Sequence, residues 1–193
     1  MKKSLLFFAI ALSVGALVGC THDKGWDDKH RKSLRNELRN YRDMFYVEDL
    51  QEVEFDDFSN DVIEAIEIDY PEYVLFYELP GRGDTLDVYV VSTIVERLDS
   101  DSHNLRHIFP YTWLVAEGVL PAGLDNQAQR AFYDCFSQKV KRHYRTMRHF
   151  LYALMNDPYA GGTIIQMQND CAMELFDWGV EEIDESVEVT STN

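Results

Sequence analysis

Apolar residues recur at three- and four-residue steps through much of this 193-residue chain. Leu34, Leu38, Tyr41 and Phe45 form one such stripe, which predicts a helix over 28–45. Val62, Ile63 and Ile66 predict a second helix over 58–69, with Asp57 or Ser59 as its N-cap and Pro71 as its stop. The most regular stripe follows Asp125 and runs through Ala128, Phe132, Cys135, Phe136, Val140, Tyr144, Met147, Leu151 and Leu154. It predicts one helix of roughly 30 residues that ends before Pro158. Gly161 and Gly162 then turn the chain, and Ile164 or Ile165, Met167, Cys171, Leu175 and Trp178 predict a helix packed back against it.

Two stretches carry a different signal. Tyr73-Val74-Leu75-Phe76-Tyr77 and the β-branched run over 86–95 have strand composition, and Pro80, Gly81, Gly83 and Asp84 between them are turn residues. Together they predict a β-hairpin whose second strand is covered on both faces. A short strand is also expected at 53–55. Residues 103–120 stay open between a short helix started by Pro110 and a third strand at 113–116. The expected fold class is α+β: an antiparallel, hairpin-based sheet covered by helices, with a long C-terminal helical hairpin.

The N-terminus changes the picture. Lys2 and Lys3 precede an apolar run over 5–16, broken only by Ser13 and Gly15, which has the shape of a secretory signal. The run falls short of the roughly 20 apolar residues that a spanning helix needs. Its ending, Leu17-Val18-Gly19-Cys20, resembles the lipobox of bacterial lipoproteins. That resemblance covers residues 1–20 alone. It implies cleavage before Cys20, lipidation of Cys20 and attachment to a membrane through the lipid. Thr21 stands where an Asp would favour inner-membrane retention, so the resemblance implies an outer-membrane lipoprotein of the cell envelope. The chain then divides into a signal peptide at 1–19, a lipidated tether at 20–28, one domain at 29–180 and an acidic tail at 181–193.

Charge narrows the partners. The formal net charge is −16, which opposes binding to nucleic-acid phosphates and favours a basic partner. It is also unevenly distributed. Residues 43–81 hold thirteen Asp or Glu and no Lys or Arg, whereas 135–156 hold Lys139, Lys141, Arg142, Arg145 and Arg148 and no acid. Either the two stretches pair within the fold, or the five cations form a stripe that binds an anionic partner. Cys135 and Cys171 fall on adjacent helices in this reading. Counted from the turn between those helices they stand roughly 18 Å out of step at 1.5 Å per residue. A disulfide needs Cα atoms within about 7 Å, so two unpaired thiols are expected.

Catalytic signatures are sparse. No Gly-x-Ser-x-Gly, phosphate loop, Cys-x-x-Cys or dinucleotide motif occurs, and nothing calls for a cofactor. His103 and His107 are four apart but lack a third ligand, which fits solvated loop histidines rather than a metal site. Arg82-Gly83-Asp84 resembles the integrin-recognition tripeptide and falls at the expected hairpin tip, where it would form a surface adhesion turn. The leading expectation is a non-enzymatic binding or accessory module of the envelope that engages a protein or envelope component. An immunity-type inhibitor of a basic toxin is its particular form. An envelope hydrolase and a structural envelope component are the alternatives.

Overall fold

A computed structural model describes residues 25–179. The signal peptide, the lipobox with Cys20 and the acidic tail at 181–193 lie outside these described residues. Eight α-helices follow one another: α1 (Asp28–Leu38), α2 (Glu52–Asp69), α3 (Tyr73–Tyr77), α4 (Arg82–Ser100), α5 (Tyr111–Ala116), α6 (Asn126–Tyr144), α7 (Met147–Asn156) and α8 (Ala160–Phe176). Two 3-10 turns, Arg39–Tyr41 and Ser102–His107, complete the helical set. The described residues contain no strand, so the fold is all-α and the expected sheet is absent from them.

The hairpin fails for a reason visible in α4. Leu86, Val90, Ile94 and Leu98 are all buried, at four-residue steps, while Val88 between them is exposed. That is the period of a helix, and the packing it allows outweighs the weak strand preference of the β-branched residues. Gly81 enters α4 in the left-handed region at φ 74°, which glycine adopts without a side-chain penalty. The supposed hairpin tip is therefore the first turn of a helix. The expected strand at 53–55 is likewise the first turn of α2. It is opened by a capping box in which Gln51 and Glu54 satisfy each other's free backbone N–H groups. Of the two readings of 103–120, the helical one holds: Pro110 precedes α5, and Gly118 at φ 74° follows it.

The predicted 30-residue helix is two helices. Arg145 turns the chain at φ 69°, and the Thr146 side chain accepts from His149 N–H to start α7 afresh. The break points Met147, Phe150 and Leu151 into the core beside α4. It also overturns the expected register of the cysteines. Because α7 leaves the line of α6, α8 returns along α6 itself, and Cys135 and Cys171 meet with Cα atoms 5.9 Å apart in a disulfide.

Helix α4 is the centre of the arrangement. It packs on α2 along one side and on α7 and the 3-10 turn at 102–107 along the other. Helix α6 joins α7, α8 and that same turn, and α1 lies on α2. Aromatic rings fill the space between α5, α6 and α7: Phe136 contacts Phe109, Phe132 and Phe150 at centroid distances of 5.5, 6.2 and 6.3 Å. The expected tether is partly folded, since Trp26 packs on Phe76 and Tyr77 and donates from Nε1 to the Tyr70 carbonyl at 2.7 Å.

Candidate functional site

A groove of about 770 Å³ opens between α2 and α4. The two helices run antiparallel, as the pairs Arg97–Asp61 and Tyr89–Asp69 show. Asp84, Val88, Ser92 and Glu96 line the groove from α4 at four-residue steps, and Ala65, Ile68 and Asp69 line it from α2. Ile68 and Val88 are 72% and 60% exposed, unusual for aliphatic side chains that a neighbouring helix could have covered. The Tyr89 hydroxyl donates to Asp69 Oδ2 at 2.5 Å. Burial, and then the Asp69 carboxylate, holds that phenol above its ordinary pKa. Among the described residues no cation pairs with Asp69, Asp84 or Glu96. The groove thus combines two exposed aliphatic side chains with three carboxylates that lack ion pairs, and Arg148 reaches it at Ser92.

Elsewhere the acidic segment is neutralised in part. Arg31 donates through Nε to Glu67 at 2.6 Å and through Nη2 at 2.9 Å. Arg42 reaches Glu52 at 2.7 Å while lying over the Phe55 ring at 3.9 Å. Arg97 pairs with Asp61, and Arg106 with Glu54 at 2.6 Å. The partners of the acidic stretch are therefore α1 and its neighbours, α4 and the 102–107 turn, not the expected basic side of α6. On α2, Asp56, Asp57, Glu64 and Asp69 have no ion pair among the described residues, and of these Asp69 lines the groove.

The predicted basic stripe is partly used within the fold. Lys139 pairs with Glu174 at 2.6 Å and Lys141 with Asp99 at 3.0 Å. Arg148 donates to Ser92 Oγ at 3.2 Å. Arg142 and Arg145 are exposed beside the break between α6 and α7, without an ion pair among the described residues. The five cations do not converge on one site. Nor is Arg82-Gly83-Asp84 a free turn: Arg82 is held by Glu37 at 2.8 Å over the Phe76 and Tyr77 rings, and only Asp84 faces the groove.

His107 departs from the expected solvated histidine. It is 5% exposed, its Nδ1 lies 2.8 Å from Asp49 Oδ2, and its Nε2 lies 3.7 Å from Glu54 Oε1. The Tyr46 ring stands edge-on at 5.3 Å. His103 instead meets the Tyr133 ring, so the two histidines do not share a ligand. Among the described residues no group of three or more His, Cys, Asp or Glu could hold a metal ion. No histidine lines the groove. His107 ties the 46–50 loop, the start of α2 and the 102–107 turn together. Sequence reasoning missed this role because Asp49 and Glu54 lie far from His107 along the chain.

That tie has a pH consequence. Burial lowers the His107 pKa below its usual 6.5, outweighing the hydrogen bond with Asp49, and the Arg106 charge adds to the lowering. His103 is lowered too, by burial and then by Arg106 and Arg130. An imidazole depressed on folding binds its proton more readily in the unfolded chain. Its stabilisation is complete above about pH 6.5 and is lost as pH falls from there toward the folded value. The unfolding midpoint is expected to drop between about pH 7 and pH 5, with a smaller drop in His107→Gln. Identical profiles for the two proteins would remove His107 from this account. Glu54 acts lower on the scale. Burial raises its carboxyl, but the Gln51 N–H, Arg106 and His107 together hold it below the usual 4.5. Its contribution is lost only as pH falls below about 4.5.

No family model matches the chain, and neither a curated protein nor a solved structure matches it. No helix among the described residues is long and apolar enough to cross a membrane.

Proposed function

We propose that this chain is a lipid-anchored binding protein of the cell envelope, without catalytic chemistry of its own, that uses the α2–α4 groove to hold a cationic partner. One observation carries the reading: carboxylates at Asp69, Asp84 and Glu96 surround exposed Ile68 and Val88, and none of the three has an ion pair among the described residues. In a protein of net charge −16, such a surface draws in basic molecules and repels acidic ones. An immunity-type inhibitor of a basic toxin is the form that fits best. Two further features support export and anchoring. The lipobox-like Leu17-Val18-Gly19-Cys20 supplies the attachment point, and the Cys135–Cys171 disulfide belongs to an oxidising compartment.

The test has two parts. Cells fed labelled palmitate are expected to label the wild-type chain and not Cys20→Ser. The wild-type chain, immobilised and exposed to envelope extract, is expected to retain basic proteins at low salt and release them at about 0.5 M, where the screening length falls to a few ångströms. Asp69→Asn/Asp84→Asn/Glu96→Gln is expected to retain at most a tenth as much. Equal retention by that variant would sink the role of the groove. Label persisting in Cys20→Ser would sink the anchor.

A further inference from the structure

Resting on that reading, we infer that the groove's occupant is an amphipathic helix of about three turns, with an apolar ridge flanked by Lys or Arg. Two observations select this shape. First, Asp84 and Glu96 close the two ends of the α4 stripe, with Val88 and Ser92 between them. Twelve residues at 1.5 Å each separate the end carboxylates by roughly 18 Å, the length of about three helical turns. A partner lying along α4 would set a cation near each end and apolar side chains against Ile68 and Val88.

Second, the walls are helices whose backbone groups are already paired within α2 and α4. An extended segment would find no edge to hydrogen-bond with and would leave its own N–H and C=O groups facing an apolar floor. A helix satisfies those groups internally and brings only side chains to the contact.

The charge pattern selects a basic helix over a neutral one. Desolvating three carboxylates against an uncharged ridge would leave them without balancing cations, which is costly, whereas Lys or Arg at the rim keeps them paired and half-solvated.

The test uses the full chain in zwitterionic nanodiscs, with empty nanodiscs as the blank, and three labelled 14-residue peptides followed by fluorescence anisotropy. The first carries leucines on one helical face and lysines beside them. The second has the same composition, scrambled so that no face forms. The third has the lysines replaced by glutamine. The first is expected to bind at least tenfold more tightly than either of the others, and to gain helicity on binding. Val88→Lys and Ile68→Lys change exposed side chains and are each expected to weaken it at least tenfold with an unchanged unfolding midpoint.

Equal binding of the first and second peptides would overturn the helical occupant while leaving a cation-binding groove in place. Displacement of the first peptide by spermine at equal charge concentration would do the same, in favour of small polycations. Concentration-dependent dimerisation abolished by Val88→Lys would assign the groove to a second copy of the chain. Failure of all three peptides to bind, together with unaltered capture by the triple carboxylate variant, would overturn both the occupant and the groove's proposed role.

Discussion

Phe136→Ala is expected to lower the free energy of unfolding by about 3–5 kcal/mol, the range for emptying a buried aromatic site. Phe136 is fully buried. Its ring meets Phe150 at 90° and Phe109 at 79°, edge-to-face arrangements that add to simple area burial. The neighbours come from α6, α7 and the segment before α5, so no single shift of one helix can fill the cavity. Proteins of this kind are stable by about 5–15 kcal/mol, so the variant forfeits a large share of the whole. Urea titration checks it: the midpoint falls with an unchanged slope. Val53→Ala, at a position 74% exposed, is the control and is expected to move stability by no more than about 0.5 kcal/mol. A loss below about 1 kcal/mol for Phe136→Ala would mean that the ring cluster is not packed as described.

Opening the Cys135–Cys171 bridge should cost nearly as much. The bond closes a loop with a sequence separation of 36 residues and joins α6 to α8. Chain-entropy reasoning gives about 3–4 kcal/mol for a loop of that length, or roughly 10 °C in the unfolding midpoint. Cys135→Ala/Cys171→Ala tests the bond without burying a new hydroxyl at Cys171, which is fully buried. Reduction of the wild-type protein should reproduce the variant's midpoint. Alkylation of denatured, unreduced protein should leave both cysteines unlabelled, and labelling of both would refute the bridge.

The elements of this fold were legible where period and composition agreed. The stripe of Leu34 and Leu38 and that of Val62, Ile63 and Ile66 both lead to helices, because there the apolar residues mark one face and nothing contradicts them. In α4 they disagreed, and composition misled. Val88, Val90, Val91 and Val95 suggest a strand, yet Leu86, Val90, Ile94 and Leu98 already carried the helical spacing that the packing obeys. The break after α6 had a local sign in Thr146, an N-cap residue within an otherwise continuous stripe. Taking the stripe as a single rod misplaced everything after it, the disulfide included. The groove was half legible. The acidic run over 43–81 was visible, but of the groove carboxylates only Asp69 belongs to it, and which of its acids remain unpaired depends on Arg31, Arg42, Arg97 and Arg106, all fixed only by the fold.

The contact between Trp26 and Tyr70 has a topographic consequence. Tyr70 lines the groove, and Trp26 Nε1 is bonded to its carbonyl, so the N-terminal end of the fold and one end of the groove are the same place. Cys20 precedes Trp26 by six positions, and six residues at full stretch reach only about 20 Å. If Cys20 carries acyl chains, as proposed, the groove would be held close to the lipid surface. A partner floating freely in the compartment would meet it rarely. A basic helix already lying on the bilayer would share its plane, and the encounter becomes a search in two dimensions.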